Sequence, residues 1–336
     1  MTDVLIVGQR EVPRFLPMAE CIAVMEETLS ALARGETLLP LRSILWLPEK
    51  IGAFGLMPGA LLKQRVVGVK AVTFFYGNQG TELDSHQGAV LLFESERGSL
   101  LAIIDATSIT AIRTAAVSAV ATRLLAREDA RTLALVGSGV QADSHLEAML
   151  LVRPFTKVRV ASKTLDRAEA FAERASRRYG VAVEAAGTVR EAVADADVVC
   201  TVTSSSTPVV DGAWLSPGTH INAVGSSVPT ARELDTAAVA RSRLFVDRRE
   251  STVNEAGDFL VPKSEGAISD AHILGEIGEL AIGRIPGRRT REEMTLFKSL
   301  GLAIEDVACA RHIYEKARAS GQGRFLDLGG ERHAGD

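Results

Sequence analysis

Apolar residues recur every three or four positions at Met18, Ile22, Met25, Leu29 and Leu32, the stripe of an amphipathic helix, and Gly35 stands where such a helix would stop. The period then shortens. "LRSILWL", "AFGLMPGALL", "VVGVKAVTFFY", "GAVLLFES" and "SLLAIIDA" read as strands, and Glu96-Arg97-Gly98 between the last two reads as a hairpin turn. Residues 1–113 are therefore expected to form an α+β domain on a mostly antiparallel sheet. The Ala-rich stretch "TSITAIRTAAVSAVATRLLA" reads as a helix that carries the chain into a second domain. From Arg131 strands and helices alternate: "RTLALVG", a helix through Leu151, "KVRVAS", a helix over 165–179, "VAVEA", a short helix near 188–194, then "DVVCTV", "HINAVG" and "RLFVD". Six short apolar strands with intervening helices predict a parallel, doubly wound sheet. Beyond Val246 the pattern reads as helices, the last of which, near 302–319, is expected to return to the first domain. The expected domains are 1–113 with 304–336, and 114–303.

Composition narrows the function more than the fold. A length of 336 residues exceeds what one core usually serves, which agrees with two domains. The net charge of −4 gives no footprint for a polyanion, so neither nucleic acid nor an anionic membrane surface is an expected partner. Cys21, Cys200 and Cys309 are far apart in sequence and form no CxxC, so they read as small buried hydrophobes in a reducing compartment. No histidine has a metal-spaced partner, and no metal is expected. The opening "MTDVLIVGQREVPRF" lacks a basic region followed by an apolar core, and no charge-free apolar run approaches a membrane span. A cytoplasmic protein is the expectation.

The chemistry begins at "LALVGSGVQA", where Gly137-x-Gly139-x-x-Ala142 follows a strand and opens a helix. The first glycine permits the tight turn, the second lets the backbone approach a pyrophosphate, and the small third residue allows helix–strand packing. Gly137, Ser138, Gly139, Val140 and Gln141 would hold the pyrophosphate on the helix N-terminus. This places a Rossmann-type dinucleotide site on the doubly wound sheet. The second strand ends in Ser162, Lys163 and Thr164 with no carboxylate to repel a ribose 2′-phosphate, which favours NADP(H), with NAD(H) possible; a solvated basic turn is the competing reading. Thr201, Val202 and Thr203 follow the fourth strand, where such a sheet presents loops to its ligand. Arg42, Lys70 and Arg113 put charge at or inside apolar segments, which is costly unless each is salt-bridged, snorkelling or turned to a cleft. Together, beside a nucleotide site, they point to an anion pocket.

These segments carry a resemblance. "GVKAVTFF", "DSHQGAVLLFE", "DATSITAIRTAAVSAVAT", "LVGSGVQA", "GTHINAVGSSVP" and "FKSLGLAIED" resemble the ornithine cyclodeaminase/mu-crystallin family, in the family's order and over most of the chain, and are most similar to its mu-crystallin-like ketimine reductase branch. The resemblance implies a Rossmann domain beside an α+β substrate and dimerisation domain, and a homodimer. It implies that Arg42, Lys70 and Arg113 take the carboxylate of an amino-acid-like substrate; a lysine among other cations and partly desolvated also has a lowered pKa, so Lys70 is expected to exchange a proton with the substrate nitrogen. It further puts Ser85, His86 and Gln87 near the nicotinamide and the substrate, Val224 and Gly225 along the nicotinamide, and Lys298, Ser299 and Leu300 over it. Without the resemblance, "FKSLG" reads only as a helix N-terminus. Ser227 stands where cyclodeaminases of the family carry an aspartate, and a serine cannot pair with an ammonium as a carboxylate does. The implied activity is NAD(P)H-dependent reduction of a C=N bond. A cyclodeaminase-type lyase, an alanine- or opine-type dehydrogenase, and a non-catalytic ligand-binding protein are the alternatives.

Overall fold

The computed structural model describes residues 3–78 and 81–330; the ends of the expected first domain, 1–2 and 331–336, lie outside the described residues. The chain divides into two compact units, Met1–Arg113 with Leu302–Asp336, and Thr114–Gly301.

The first unit is built on one sheet. Its strands are β1 (Asp3–Val7), β2 (Thr37–Leu38), β3 (Ser43–Trp46), β4 (Ala53–Leu61), β5 (Val66–Phe74), β6 (His86–Glu94), β7 (Leu100–Asp105) and a C-terminal strand, Arg324–Asp327. The order across the sheet runs from the C-terminal strand through β1, β7, β6, β5 and β4 to β2, with β3 paired to β4. Only β1 and β7 run parallel. The β6–β7 hairpin closes where the sequence places it: the Glu94 carboxylate accepts from the N–H groups of Glu96, Arg97 and Ser99, and Gly98 takes a φ of 78°. Helix Ala303–Ser320 crosses β4, β5 and β6, and helix Met18–Ala33 packs against it. Two glycines permit that approach: a Cβ on Gly59 would lie 3.2 Å from the Ile304 nitrogen, and one on Gly68 would lie 2.9 Å from Val307 Cγ2. The three cysteines are buried and free, as their spacing predicts. Cys21 and Cys309, distant in sequence, meet between these two helices with their sulfurs 3.8 Å apart, both buried and both free.

The second unit is a parallel sheet. Its strands are β8 (Thr132–Val136), β9 (Lys157–Ala161), β10 (Val183–Ala185), β11 (Val198–Thr201), β12 (His220–Ala223), β13 (Ser242–Val246), β14 (Ile273–Glu276) and β15 (Met294–Lys298). They lie in the order β10-β9-β8-β11-β12-β15-β13-β14, every pair parallel. Helices cover both faces of such a sheet, so its central strands read as continuous apolar runs; all four residues of β11, and of β12, are buried. Helix Leu165–Tyr179 buries Ala168, Phe171, Ala172 and Ala175 and stops at Gly180, whose φ is 66°. Helix Val189–Val193 starts on a capping box between Thr188 and Glu191, a device that contributes about 1 kcal/mol.

The sheet corrects the reading beyond Val246. That region supplies two more strands, so the sheet has eight rather than six. "FKSLG" is not a helix start: Phe297 and Lys298 end β15, which is buried along its whole length between β12 and β13. The helical reading fails because β15 ends in a lysine whose charge is neutralised inside the unit, which hides a buried strand from a hydrophobic pattern.

Candidate active site

In the first unit Lys70 lies mid-strand in β5, opposite Met57 of β4 and Val90 of β6. Strand alternation puts it on the face of Gly68 and Val72, which helix Ala303–Ser320 covers. The first turn of that helix brings in Glu305 and Asp306, both 0% exposed. Lys70 Nζ lies 2.8 Å from Asp306 Oδ2, Arg113 Nε 3.2 Å from Asp306 Oδ1, and Arg113 Nη1 2.9 Å from Glu305 Oε2. Asp306 thus bridges the two cations, and Lys70 also sits 3.4 Å from Thr110 Oγ1. Lys70 and Arg113 are salt-bridged and almost fully buried, at 3% and 4% exposed. Arg42 precedes β3 half-buried, and its charge reaches Lys70.

Burial pushes the Lys70 ammonium down to about 8; Asp306 opposes that shift, and Arg113 and Arg42 add to it. For Arg113 burial alone would act downward, but Asp306 and Glu305 outweigh it and hold the guanidinium above its ordinary value. His86 opens β6, its ring packed edge-on against Phe74 with centroids 4.8 Å apart and Ser85 Oγ 3.0 Å from Nδ1. The packed side of the ring lowers its pKa; Asp84 opposes this, and the Lys70 charge lowers it further. Gln87 bonds the Asp84 carbonyl through Nε2.

In the second unit the glycine loop follows β8. Gly137 has a φ of 121°, and a Cβ there would lie 2.8 Å from the Val202 carbonyl oxygen, so only glycine fits. Gly139 is the N-cap of helix Val140–Val152, with no atom within 4 Å of a would-be Cβ. Ala142 is 0% exposed against the sheet, Val140 stands exposed, and Gln141 starts the covered side. Backbone N–H groups at the start of a thirteen-residue helix, reached through side-chain-free glycines, fit a pyrophosphate. At the end of β9, Ser138 Oγ lies 2.7 Å from Ser162 Oγ, while Lys163 and Thr164 are exposed.

The loops after β11, β12 and β15 are tied together from below. Buried Glu233 accepts from Thr201 Oγ1 at 2.7 Å, from the Thr203 N–H at 2.6 Å and from the Gly225 N–H at 2.7 Å. Asp258 Oδ1 accepts from the N–H groups of Glu233 and Leu234, and its Oδ2 lies 2.9 Å from Lys298 Nζ. Lys298 in turn donates to the Ser226 carbonyl at 2.5 Å. Asp247 Oδ2 accepts from the N–H groups of Leu300 and Gly301. Burial raises the Glu233 pKa, and Asp258 adds to the rise.

Two of the expected cofactor contacts have their side chains buried within the unit. The Thr201 hydroxyl is fully buried on Glu233, and the Lys298 ammonium, 1% exposed, is committed to Asp258 and loop carbonyls. Both side chains point into the unit, where each meets a buried carboxylate. Val202, Thr203 and Val224 are half-buried, Gly225 and Ser227 are exposed, and Ser299 is buried. Sequence reasoning missed Glu305, Asp306, Glu233 and Asp258. The signal that singled out Lys70, charge inside an apolar run, is equally present in "LGLAIEDVACA". Among the described residues no group of three or more histidine, cysteine, aspartate or glutamate side chains could hold a metal ion.

A doubly wound sheet with a glycine loop at its switch point, attached to an antiparallel-sheet unit with a buried ionic cluster, defines a two-unit protein of the dinucleotide-binding class. The chain belongs to the ornithine cyclodeaminase/mu-crystallin family, whose model matches residues 3–321. Among its most similar relatives is ketimine reductase mu-crystallin of Mus musculus, 41% identical over 281 residues that cover 84% of this chain and 86% of the relative. The Thermococcus litoralis Delta(1)-pyrroline-2-carboxylate reductase, solved with NADH and L-proline, superposes with a TM-score of 0.93 at 37% identity, over 96% of this chain and 99% of that one. An archaeal alanine dehydrogenase dimer with bound NAD superposes with a TM-score of 0.91 at 32% identity, over 97% and 99% of the two chains.

Proposed function

We propose that this protein reduces the C=N bond of a 2-imino acid or cyclic ketimine, such as pyrroline-2-carboxylate or piperideine-2-carboxylate, to an L-amino acid. The observation that carries the reading is Lys70, a buried ammonium whose proton is loosely held beside Arg113 and within reach of the Arg42 charge. The relatives named as reductases of cyclic imines support it.

Arg42, Lys70 and Arg113 bind the substrate carboxylate; a guanidinium can grip it with two parallel hydrogen bonds and so fix the α-carbon. Lys70 holds a proton for the substrate nitrogen and can release it near neutral pH. His86, neutral at that pH, borders the same face of the sheet as Lys70 and closes one side of the substrate. In the second unit the loop from Gly137 to Gln141 holds the pyrophosphate, and Val224 and Gly225 line the nicotinamide. A bound NAD(P)H supplies the hydride. NADP(H) is the preferred coenzyme, because Lys163 and Thr164 are exposed at the end of β9 with no carboxylate beside them; NAD(H) is accepted as well. Ser227, exposed and uncharged, argues against the lyase reading, which needs a carboxylate for the substrate amine.

A second copy covers the outer strands of the first unit. Leu45, Trp46 and Ile51 on or beside β3 are 64%, 49% and 60% exposed, more apolar surface than a lone sheet edge normally leaves open. The dimeric archaeal relative supports a homodimer. Three buried free cysteines fit a reducing, cytoplasmic setting, and no described helix is long and apolar enough to cross a membrane.

The test is direct. Purified protein is given pyrroline-2-carboxylate with NADPH, then with NADH, and absorbance at the nicotinamide band is followed. Coenzyme consumption is the expected result. Proline formed from ornithine without coenzyme consumption would replace the reading by the lyase, and coenzyme binding with neither reaction would replace it by a binding protein.

A further inference from the structure

The strand order reverses between β8 and β11, so a dinucleotide lying across the strand ends puts its adenosine half over β8 and β9 and its nicotinamide half over β11, β12 and β15. The nicotinamide half therefore meets backbone from the loops after β11 and β12. Those loops touch each other: a Cβ on Gly225 would lie 2.2 Å from the Thr203 carbonyl oxygen and 2.5 Å from Glu233 Oε1. The N–H groups of Val224 and Gly225 reach the Thr201 carbonyl at 3.0 and 3.1 Å, and one carboxylate adds the tie to Thr203. Glu233, 0% exposed, takes the Thr203 N–H on Oε1 and the Gly225 N–H and Thr201 hydroxyl on Oε2. Its own backbone is pinned by Asp258, which is pinned by Lys298.

We propose that Glu233 is a positioning residue for the reaction: by joining the ends of β11 and β12 it sets the backbone surface on which the nicotinamide lies, and so the affinity for the nicotinamide end of the coenzyme. This rests on the reductase reading above. The chemistry of the donors makes the proposal sharp. Both ends of the carboxylate face a backbone N–H, which cannot rotate to become an acceptor. In Glu233→Gln the amide NH2 must therefore meet one of those N–H groups whichever way it turns: the Thr203 N–H loses its carboxylate acceptor, or the Gly225 N–H is left with the Thr201 carbonyl at 3.1 Å and is pushed off the side chain.

The experiment measures affinity of the full chain for NADH or NADPH, whichever the wild type binds more tightly, and for the matching fragment without nicotinamide, ADP-ribose or its 2′-phosphate. In Glu233→Gln the coenzyme affinity is expected to fall about tenfold, the usual scale for one buried unsatisfied donor, while fragment affinity is unchanged. Coenzyme affinity equal to wild type overturns the proposal. Equal weakening of coenzyme and fragment also overturns it, since that is general loosening of the unit. Should Glu233→Gln fail to bind the fragment at all, Thr201→Val carries the test: it removes one of the three donors and is expected to weaken the coenzyme alone, by a smaller factor, and equal weakening of both ligands overturns the proposal there too. A wild type that binds neither coenzyme overturns the reductase reading itself, a result distinct from all of these.

Discussion

Asp306→Asn isolates the charge logic of the first unit. The substitution keeps shape and removes the carboxylate that bridges Lys70 and Arg113. Lys70 Nζ is 2.8 Å from Asp306 Oδ2. At an effective dielectric constant near 20, two unit charges that close attract by roughly 6 kcal/mol, most of which offsets desolvation. In pKa terms an opposite charge at such a distance is worth about 1–3 units. Lys70 starts at about 8, so without Asp306 it falls further below its ordinary value. At neutral pH Lys70 is therefore mostly charged in the wild type and less so in the variant. Lys70 is depressed below its ordinary 10.5, so its ammonium is lost as pH rises through about 8. The same depression means that the unfolded chain binds more protons between those two values, and this group alone makes the fold gain stability as pH rises through that window. If the ammonium serves the reaction, kcat/KM for pyrroline-2-carboxylate falls above about pH 8 in the wild type. In Asp306→Asn the fall begins about 1–3 units lower, with activity recovering toward acid. A steady-state profile across roughly pH 5 to 10 reads this, with Lys70→Met as the variant from which the limb should vanish. A basic limb that stays near 8 in Asp306→Asn refutes the coupling.

Three further outcomes follow from the geometry. Ser227→Asp puts a carboxylate beside Gly225 and should bring measurable ornithine turnover by a proline-formation assay; none, with imine reduction unchanged, would say that the loop's lack of charge decides less than argued. Lys163→Ala should lower the preference for NADPH over NADH about tenfold in the ratio of kcat/KM values, as expected for one charge-assisted phosphate contact; an unmoved ratio assigns Lys163 to solvent. Gly225→Ala forces a methyl against the Thr203 backbone, 2.2 Å from its oxygen and 2.6 Å from its nitrogen. It should cost about 1–3 kcal/mol and lower the thermal midpoint, and an unchanged melt would contradict the described loop contact.

The family, the doubly wound sheet and the glycine loop were legible because each rests on local pattern: strand alternation, a fingerprint at a strand–helix turn, and long specific segments such as "SHQGAVLLFE". Helix 165–179 was legible to the residue, its apolar stripe ending at a left-handed Gly180. The last strands were not. β14, Ile-Leu-Gly-Glu, has only two large apolar residues before its glycine and glutamate, and β15 ends in Lys298, so neither stands out as an apolar run. The cations Lys70 and Arg113 were legible as anomalies; Glu305 and Asp306 carry the same signal, charge inside an apolar run, but they fall in the first turn of a helix, where acids are ordinary and call for no partner. Glu233 was hidden for a similar reason: "TARELDTAAV" looks like a polar loop before a helix, and only the tertiary structure turns its glutamate inward.

The discontinuity of the first unit also sets an order of events during synthesis. The second unit is one unbroken stretch, Thr114–Gly301, and can close as soon as it is made. The first cannot. Arg113 and Glu305 are separated by 192 residues, roughly 10 to 40 seconds of elongation, and until then Lys70 and Arg113 have no carboxylates with which to be buried. One side of β1 likewise waits for Arg324–Asp327. The nascent chain therefore carries a finished nucleotide-type fold while the first unit's sheet is still open and charged, and the segment from Leu302 through the C-terminal strand Arg324–Asp327 acts as the latch that makes the ionic cluster. A chain stopped short of Leu302 would retain the second unit while leaving two cations no buried place to go.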